Sequence, residues 1–104
     1  MTKQLRSEKA IIKDITRHLD RLGIWWVKLH GSIYQQRGLP DLLVVAEGMV
    51  FFFEVKRAGG KPTTLQQHTL ERIRGAGAPA EVVTSWDDVS KIMAIGNKGK
   101  GNEG

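Results

Sequence analysis

Apolar residues recur along the chain with two different periods. Over about Leu5 to Leu22 they fall at helical spacing, with Ile12, Ile15, Leu19 and Leu22 in line and Leu5 and Ile11 on the flanks. Gly23 supplies a stop for that helix. The period then drops to two. Ile24 to His30 reads as a strand, with Trp25, Val27 and Leu29 on one face and Trp26, Lys28 and His30 on the other. Within Leu39 to Lys56, two strand-forming apolar runs flank Glu47-Gly48 and predict a hairpin. Helical spacing returns with Gln66, Leu70 and Ile73, behind a Thr63/Gln66 capping box, and Gly75 to Pro79 ends it. Glu81 to Thr84 reads as a short strand, and a Ser85/Asp88 capping box opens a last helix through Val89, Ile92 and Met93. The order α-β-β-β-α-β-α predicts an α/β fold, a mixed sheet flanked by helices.

The hairpin places charge where it is costly. With a two-residue turn, Ala46 faces Met49 and Asp41 lies opposite Glu54 on the same face, with Lys56 pointing the same way. Leu43, Val45, Val50 and Phe52 make one face apolar, and Leu42, Val44, Phe51, Phe53 and Val55 the other, so both strands should be central. Facing carboxylates at the rim of such a sheet repel unless a proton or cation sits between them, and Mg²⁺ uses one or two carboxylates plus waters and phosphates. The plainer reading is a hairpin end in solvent with Lys56 paired to Glu54. Glu-Gly is also not the favoured Asn-Gly turn, so a register slip by one residue stays open.

Composition narrows the partners. The 104 residues suit one domain with a modest core. Sixteen Lys and Arg against eleven Asp and Glu leave a net charge of +5, which favours a polyanion such as nucleic acid over an uncharged ligand. The absence of cysteine excludes disulfides and thiolate metal sites and fits a reducing cytoplasm. No apolar stretch reads as a signal peptide or a membrane span, so a cytoplasmic protein is expected.

Gly38-Leu39-Pro40-Asp41 followed by Glu54-Val55-Lys56 resembles the signature of PD-(D/E)XK nucleases. The wider run Glu54 to Lys61, with its Gly59-Gly60-Lys61 loop and the downstream Gln66, is similar to the virus-type replication-repair nuclease (VRR-NUC) domain, over about Glu8 to Ile92. The resemblance implies a minimal restriction-endonuclease-like core, here residues 1–95, and a Mg²⁺- or Mn²⁺-dependent DNA endonuclease. Asp41 and Glu54 match its acids and would hold the cation, helped by the Val55 carbonyl; Lys56 matches its lysine and would serve the attacking water. Gln66 would line the active site, a role that competes with its place in the capping box. Glu8 matches a first-helix glutamate that reaches the metal site. Its helical angle independently sets it near the middle of the apolar arc, although an acid in a first turn is also favoured by the helix dipole. Stand-alone members of the family point to a homodimer acting on branched or four-way DNA, and three tryptophans in a small chain give modest support.

Several basic and polar residues are candidate DNA contacts: Lys28, His30, Tyr34, Arg37, Arg57 and Lys61. The ordinary reading of each is a surface loop or strand end. Lys9, Lys13, Arg17 and Arg21 step by four on the first helix, either a solvated face partly neutralised by Asp14 and Asp20 or a phosphate contact. Residues 96–104, rich in Gly and Lys, are expected to be a disordered tail. The alternative function is a non-catalytic, basic DNA-binding module on the same fold.

Overall fold

The computed structural model describes residues 6–29 and 37–101, of which residues 95–101 are described by their backbone alone. The elements follow the expected order: α1 (Glu8–Arg21), β1 (Trp25–Lys28), β2 (Leu42–Ala46), β3 (Met49–Val55), α2 (Thr64–Gly75), β4 (Ala80–Val83) and α3 (Trp86–Gly101). The four strands form one sheet in the order β1-β2-β3-β4. β1, β2 and β3 pair antiparallel, and β4 runs parallel to β3. The parallel pair is joined through α2, the crossover helix that such a connection requires.

Local chemistry sets the boundaries. The Ser7 hydroxyl accepts the Ala10 N–H at 3.1 Å, so α1 starts at Glu8 rather than near Leu5. It ends in a Schellman turn, with Gly23 at φ 71°, Gly23 N–H on the Asp20 carbonyl and Ile24 N–H on the Leu19 carbonyl. β1 is shorter than the alternation suggested, beginning at Trp25 and ending at Lys28. The hairpin turn has φ 54° at Glu47 and 76° at Gly48, the two positive values of a type I′ turn. Ala46 therefore pairs with Met49 and Leu42 with Phe53, with no slip of register. The helical backbone of α3 carries past Gly96, into the segment expected to be a structureless tail. Extending a formed helix costs less per residue than nucleating one, which favours that continuation over the low propensity of glycine.

The strands' two apolar faces are treated differently. Leu42, Val44, Phe51, Phe53 and Val55 are buried under Ile11, Ile15 and Leu19 of α1 and Val89 and Met93 of α3, in one continuous core. On the other face α2 covers only the β4 side, where Leu70 and Ala80 are fully buried. Leu43, Val45 and Phe52 are half-buried, and Val50, Val27 and Trp25 are 38%, 37% and 60% exposed. Central position in the sheet, which the apolar runs predicted, holds; complete burial of both faces does not. Three helices cannot cover both sides of a four-stranded sheet when two of them sit on one side.

Candidate active site

Strand alternation aims the charged residues. The paired register ends at Leu42 and Phe53, and one step further on Asp41 stands on the Glu54 side, close enough for its carboxylate to act on that of Glu54. Both then share a face with Leu43 and Phe52, the face that carries α2. Asp41 is held from two sides. Its backbone carbonyl accepts the Leu29 N–H at 2.9 Å, and its Oδ2 accepts the Val55 N–H at 2.7 Å. The segment before it is pinned as well. Gly38 has φ 79°, and a Cβ there would meet the Leu65 Cγ at 2.8 Å, so only glycine lets this turn lie against α2. Pro40 is buried and carries the chain into Asp41.

Glu54 is the most strained charge. It is 2% exposed, and its Oε1 is buried with no hydrogen-bond partner among the described residues. The other oxygen lies 3.4 Å from the Lys56 Nζ, on a lysine side chain that is itself 12% exposed. Burial pushes the Glu54 carboxyl up to about 7; the negative charge of Asp41 adds to the rise, and Lys56 opposes it without cancelling it. Lys56 is anchored from behind by its backbone N–H on the Val83 carbonyl at 3.0 Å, which ties the site to β4. Lys56 thus stands against a buried carboxylate that a second acid also acts on.

Of the residues expected at the site, Asp41, Glu54 and Lys56 come together, and Val55 joins them through its backbone. The N–H of Val55, not only its carbonyl, has a role: it fixes the Asp41 carboxylate, a contact visible only once the register is known. Glu8 does not join. It is exposed, and among the described residues no three His, Asp or Glu side chains gather closely enough to share a metal ion. Its helical angle is as expected, but burial along α1 begins at Ile11, so the first turn projects beyond the core. α1 also covers the face opposite the one bearing Asp41 and Glu54. Gln66 is half-buried in the first turn of α2, where its Oε1 accepts the Thr63 N–H at 2.8 Å while its own N–H bonds the Thr63 hydroxyl at 3.1 Å. The capping role is thereby occupied.

Arg37, Arg57, Lys61 and Lys28 are all exposed. Arg57 opens a tight turn closed by the Gly60 N–H on its carbonyl at 2.8 Å, with Gly59 at φ 82°. Lys61 lines a surface cavity of about 490 Å³ with Pro62, Thr63, Gln67, His68 and Glu71, beside the start of α2 and apart from the carboxylates. Lys28 pairs with Leu42 and so lies on the α1 side of the sheet. His30 and Tyr34 lie outside the described residues.

A buried glutamate, a half-buried aspartate opposite it and a lysine beside them stand at the rim of the mixed sheet of an α/β fold. No sequence-family model and no curated protein matches the chain. A solved structure described as a VRR_NUC domain does, with a TM-score of 0.70 and 32% identity, covering 86% of this chain and 97% of that one. The chain belongs to the VRR-NUC domain family, within the PD-(D/E)XK nucleases. No described helix is long and apolar enough to cross a membrane.

Proposed function

We propose that the protein is a Mg²⁺- or Mn²⁺-dependent DNA endonuclease that prefers branched substrates. The observation that carries this reading is the buried Oε1 of Glu54, which has no hydrogen-bond partner among the described residues, with Asp41 opposite. A buried polar atom without a partner needs an explanation, and two crowded carboxylates with one spare oxygen suit a hard cation. The fit is good. Asp41, Glu54 and the Val55 carbonyl would hold the ion. When bound, it would polarise the scissile phosphodiester as a Lewis acid.

The chain's own groups do the rest. Lys56 orients the attacking water and offsets the negative charge that grows on the phosphate. The Val55 N–H keeps Asp41 in place, so the carboxylates need no rearrangement as the reaction proceeds. Gln66 contributes through the first turn of α2, which walls the approach to Asp41. The exposed Lys28, Arg37, Arg57 and Lys61 give the duplex its phosphate contacts. Glu8, exposed on the other side of the sheet, is not assigned to the ion.

The preference for branched DNA goes with a two-fold dimer, in which paired sites meet paired strands. Trp25, Val27, Val45 and Val50 on the open sheet face are an apolar patch suited to a self-complementary contact. Nicking of a supercoiled plasmid in Mg²⁺ or Mn²⁺, abolished by EDTA, tests the chemistry. DNA binding without cleavage in either metal would return the protein to the binding-module class. Light scattering at twice the 11.6 kDa chain mass and linearisation of a cruciform plasmid test the dimer. A monomer that cuts flaps or free ends better than junctions defeats the dimer and leaves the nuclease standing.

A further inference from the structure

The outer side of α1 carries a row of cations that the catalytic reading does not use. Lys9, Lys13, Arg17 and Arg21 recur at every fourth position and are all exposed. At about 1.5 Å rise per residue the row is roughly 18 Å long. Two basic side chains on the other helices are neutralised nearby, Lys91 by Asp87 at 2.9 Å one turn away on α3 and Arg74 of α2 by Glu81 at 3.5 Å, while Arg72 of α2 has no ion pair among the described residues. The four α1 cations have no ion pair among the described residues. Two aspartates on the same helix are available to neutralise them, and both are occupied elsewhere. Asp14 lies 3.7 Å from Arg6 and 3.7 Å from the His18 ring, which itself stacks on Trp86 of α3. Asp20 accepts the Trp26 indole N–H at 2.7 Å, toward β1. One acid is drawn toward each flank, and the ridge between them is left positive.

Its place in the fold matters as much as its charge. α1 lies on the face of the sheet under which Leu42, Val44, Phe51 and Phe53 are buried, whereas Asp41 and Glu54 share the other face. A helix with its side chains is about 10–12 Å across, so the row stands a full helix diameter beyond the sheet. A straight duplex seated on the carboxylates runs past the rim and cannot also lie along this ridge. A second DNA segment leaving the first at an angle can. Lys28 is on the α1 side at the site end of β1, and α1, which runs antiparallel to β1, begins at that same end. Basic groups therefore lead from the rim onto the ridge.

We infer that the outer ridge of α1 (Lys9, Lys13, Arg17, Arg21) binds the phosphate backbone of a second arm of branched DNA while the first arm occupies the carboxylate site. The inference rests on the nuclease reading for the place of the first arm, but its test is made on binding alone. The variant Lys13→Glu/Arg17→Glu reverses the middle of the row and touches neither the core nor the site. Wild type and variant are titrated, in EDTA, with a fluorescein-labelled four-way junction and a linear duplex of the same arm sequence. The expected result is a loss of roughly tenfold or more in junction affinity, less than about twofold on the linear duplex, and a salt slope for the junction smaller by about two phosphate contacts' worth, at about 0.9 each. Unchanged junction affinity, or equal losses on both DNAs, overturns the inference. Circular dichroism checks the fold, and Lys13→Gln/Arg17→Gln, expected to lie between wild type and the reversal, serves if the reversal misfolds. Wild-type cleavage in Mg²⁺ is scored separately. Its absence would sink the nuclease reading and leave the binding comparison intact.

Discussion

The two ends of one hairpin carry opposite kinds of strain. At the turn, Glu47 adopts φ 54°, a left-handed conformation that costs a non-glycine residue about 1–2 kcal/mol, on an exposed residue. At the rim, about six residues away along each strand, the backbone is ordinary and the strain is electrostatic. Glu54 is buried beside a second acid, one of its oxygens has no hydrogen-bond partner among the described residues, and its carboxyl is pushed up to about 7. Strain at the turn follows from an imperfect residue in a tight loop. A buried acid pushed toward its neutral form is the kind of strain that accompanies functional sites, and it supports the role proposed for the rim.

Substitutions at the two ends should separate these kinds of strain. The largest effect belongs to Asp41→Ala and Glu54→Ala, each expected to lower plasmid cleavage by roughly 10²–10³ or more, the scale seen when one preorganised electrostatic group is lost. Glu47→Ala should leave cleavage unchanged. Full activity in either rim variant, measured on protein with a native circular dichroism spectrum, would break the comparison. Next comes Lys56→Ala, expected to lower kcat by roughly 10² with little change in DNA affinity, because its work is done in the transition state. Lys56→Arg should not restore it, since a planar guanidinium does not reproduce a compact ammonium in so tight a pocket. Loss of binding with kcat preserved would recast Lys56 as a phosphate contact.

The third effect is on stability. A folded-state carboxyl at about 7 against an ordinary 4.5 means that the folded protein binds the proton more tightly than the unfolded chain. In EDTA, stability should be greatest below pH 4.5 as far as this group is concerned. It should then decline as the pH rises through 7, by up to about 3 kcal/mol. Glu54→Gln should flatten that stretch of a urea-denaturation profile and exceed wild type at pH 8. A profile unchanged by the substitution would show that the rim charge is not strained. The smallest effect is at the turn, where Glu47→Asn should stabilise by about 0.5–1 kcal/mol because asparagine tolerates a positive φ. A loss there would mean that the Glu47 side chain does more than occupy the turn.

Much of this molecule follows from sequence alone, because the decisive signals are local. The Glu-Gly pair between two apolar runs offers the register that the structure adopts, in which Leu42 faces Phe53 and Asp41 stands one step on beside Glu54. With both faces apolar, however, the pattern leaves a slip of one residue open until the turn is known. The helix limits read from Gly23, Thr63 and Ser85 hold, because those residues act within a turn of themselves, whereas the Ser7 cap lies outside that reading and α1 starts at Glu8 rather than near Leu5. Tertiary structure decided what depends on which surface lies above which. Helical angle set Glu8 on the buried arc of α1, but only packing revealed that the arc is covered from Ile11 onward and that α1 sits across the sheet from the carboxylates. The two apolar faces of the hairpin are spelled with the same Leu, Val and Phe residues. Their fates differ because α1 and α3 share one side and α2 covers only part of the other, leaving Trp25 60% exposed. The positive ridge on α1 depended on packing too. Asp14 meets His18 one helical turn away, a local pairing, and what the fold adds is the Trp26 indole of β1 for Asp20 and the Trp86 ring of α3 against His18. Periodicity fixes which way a side chain points; what it meets there depends on elements distant in the chain.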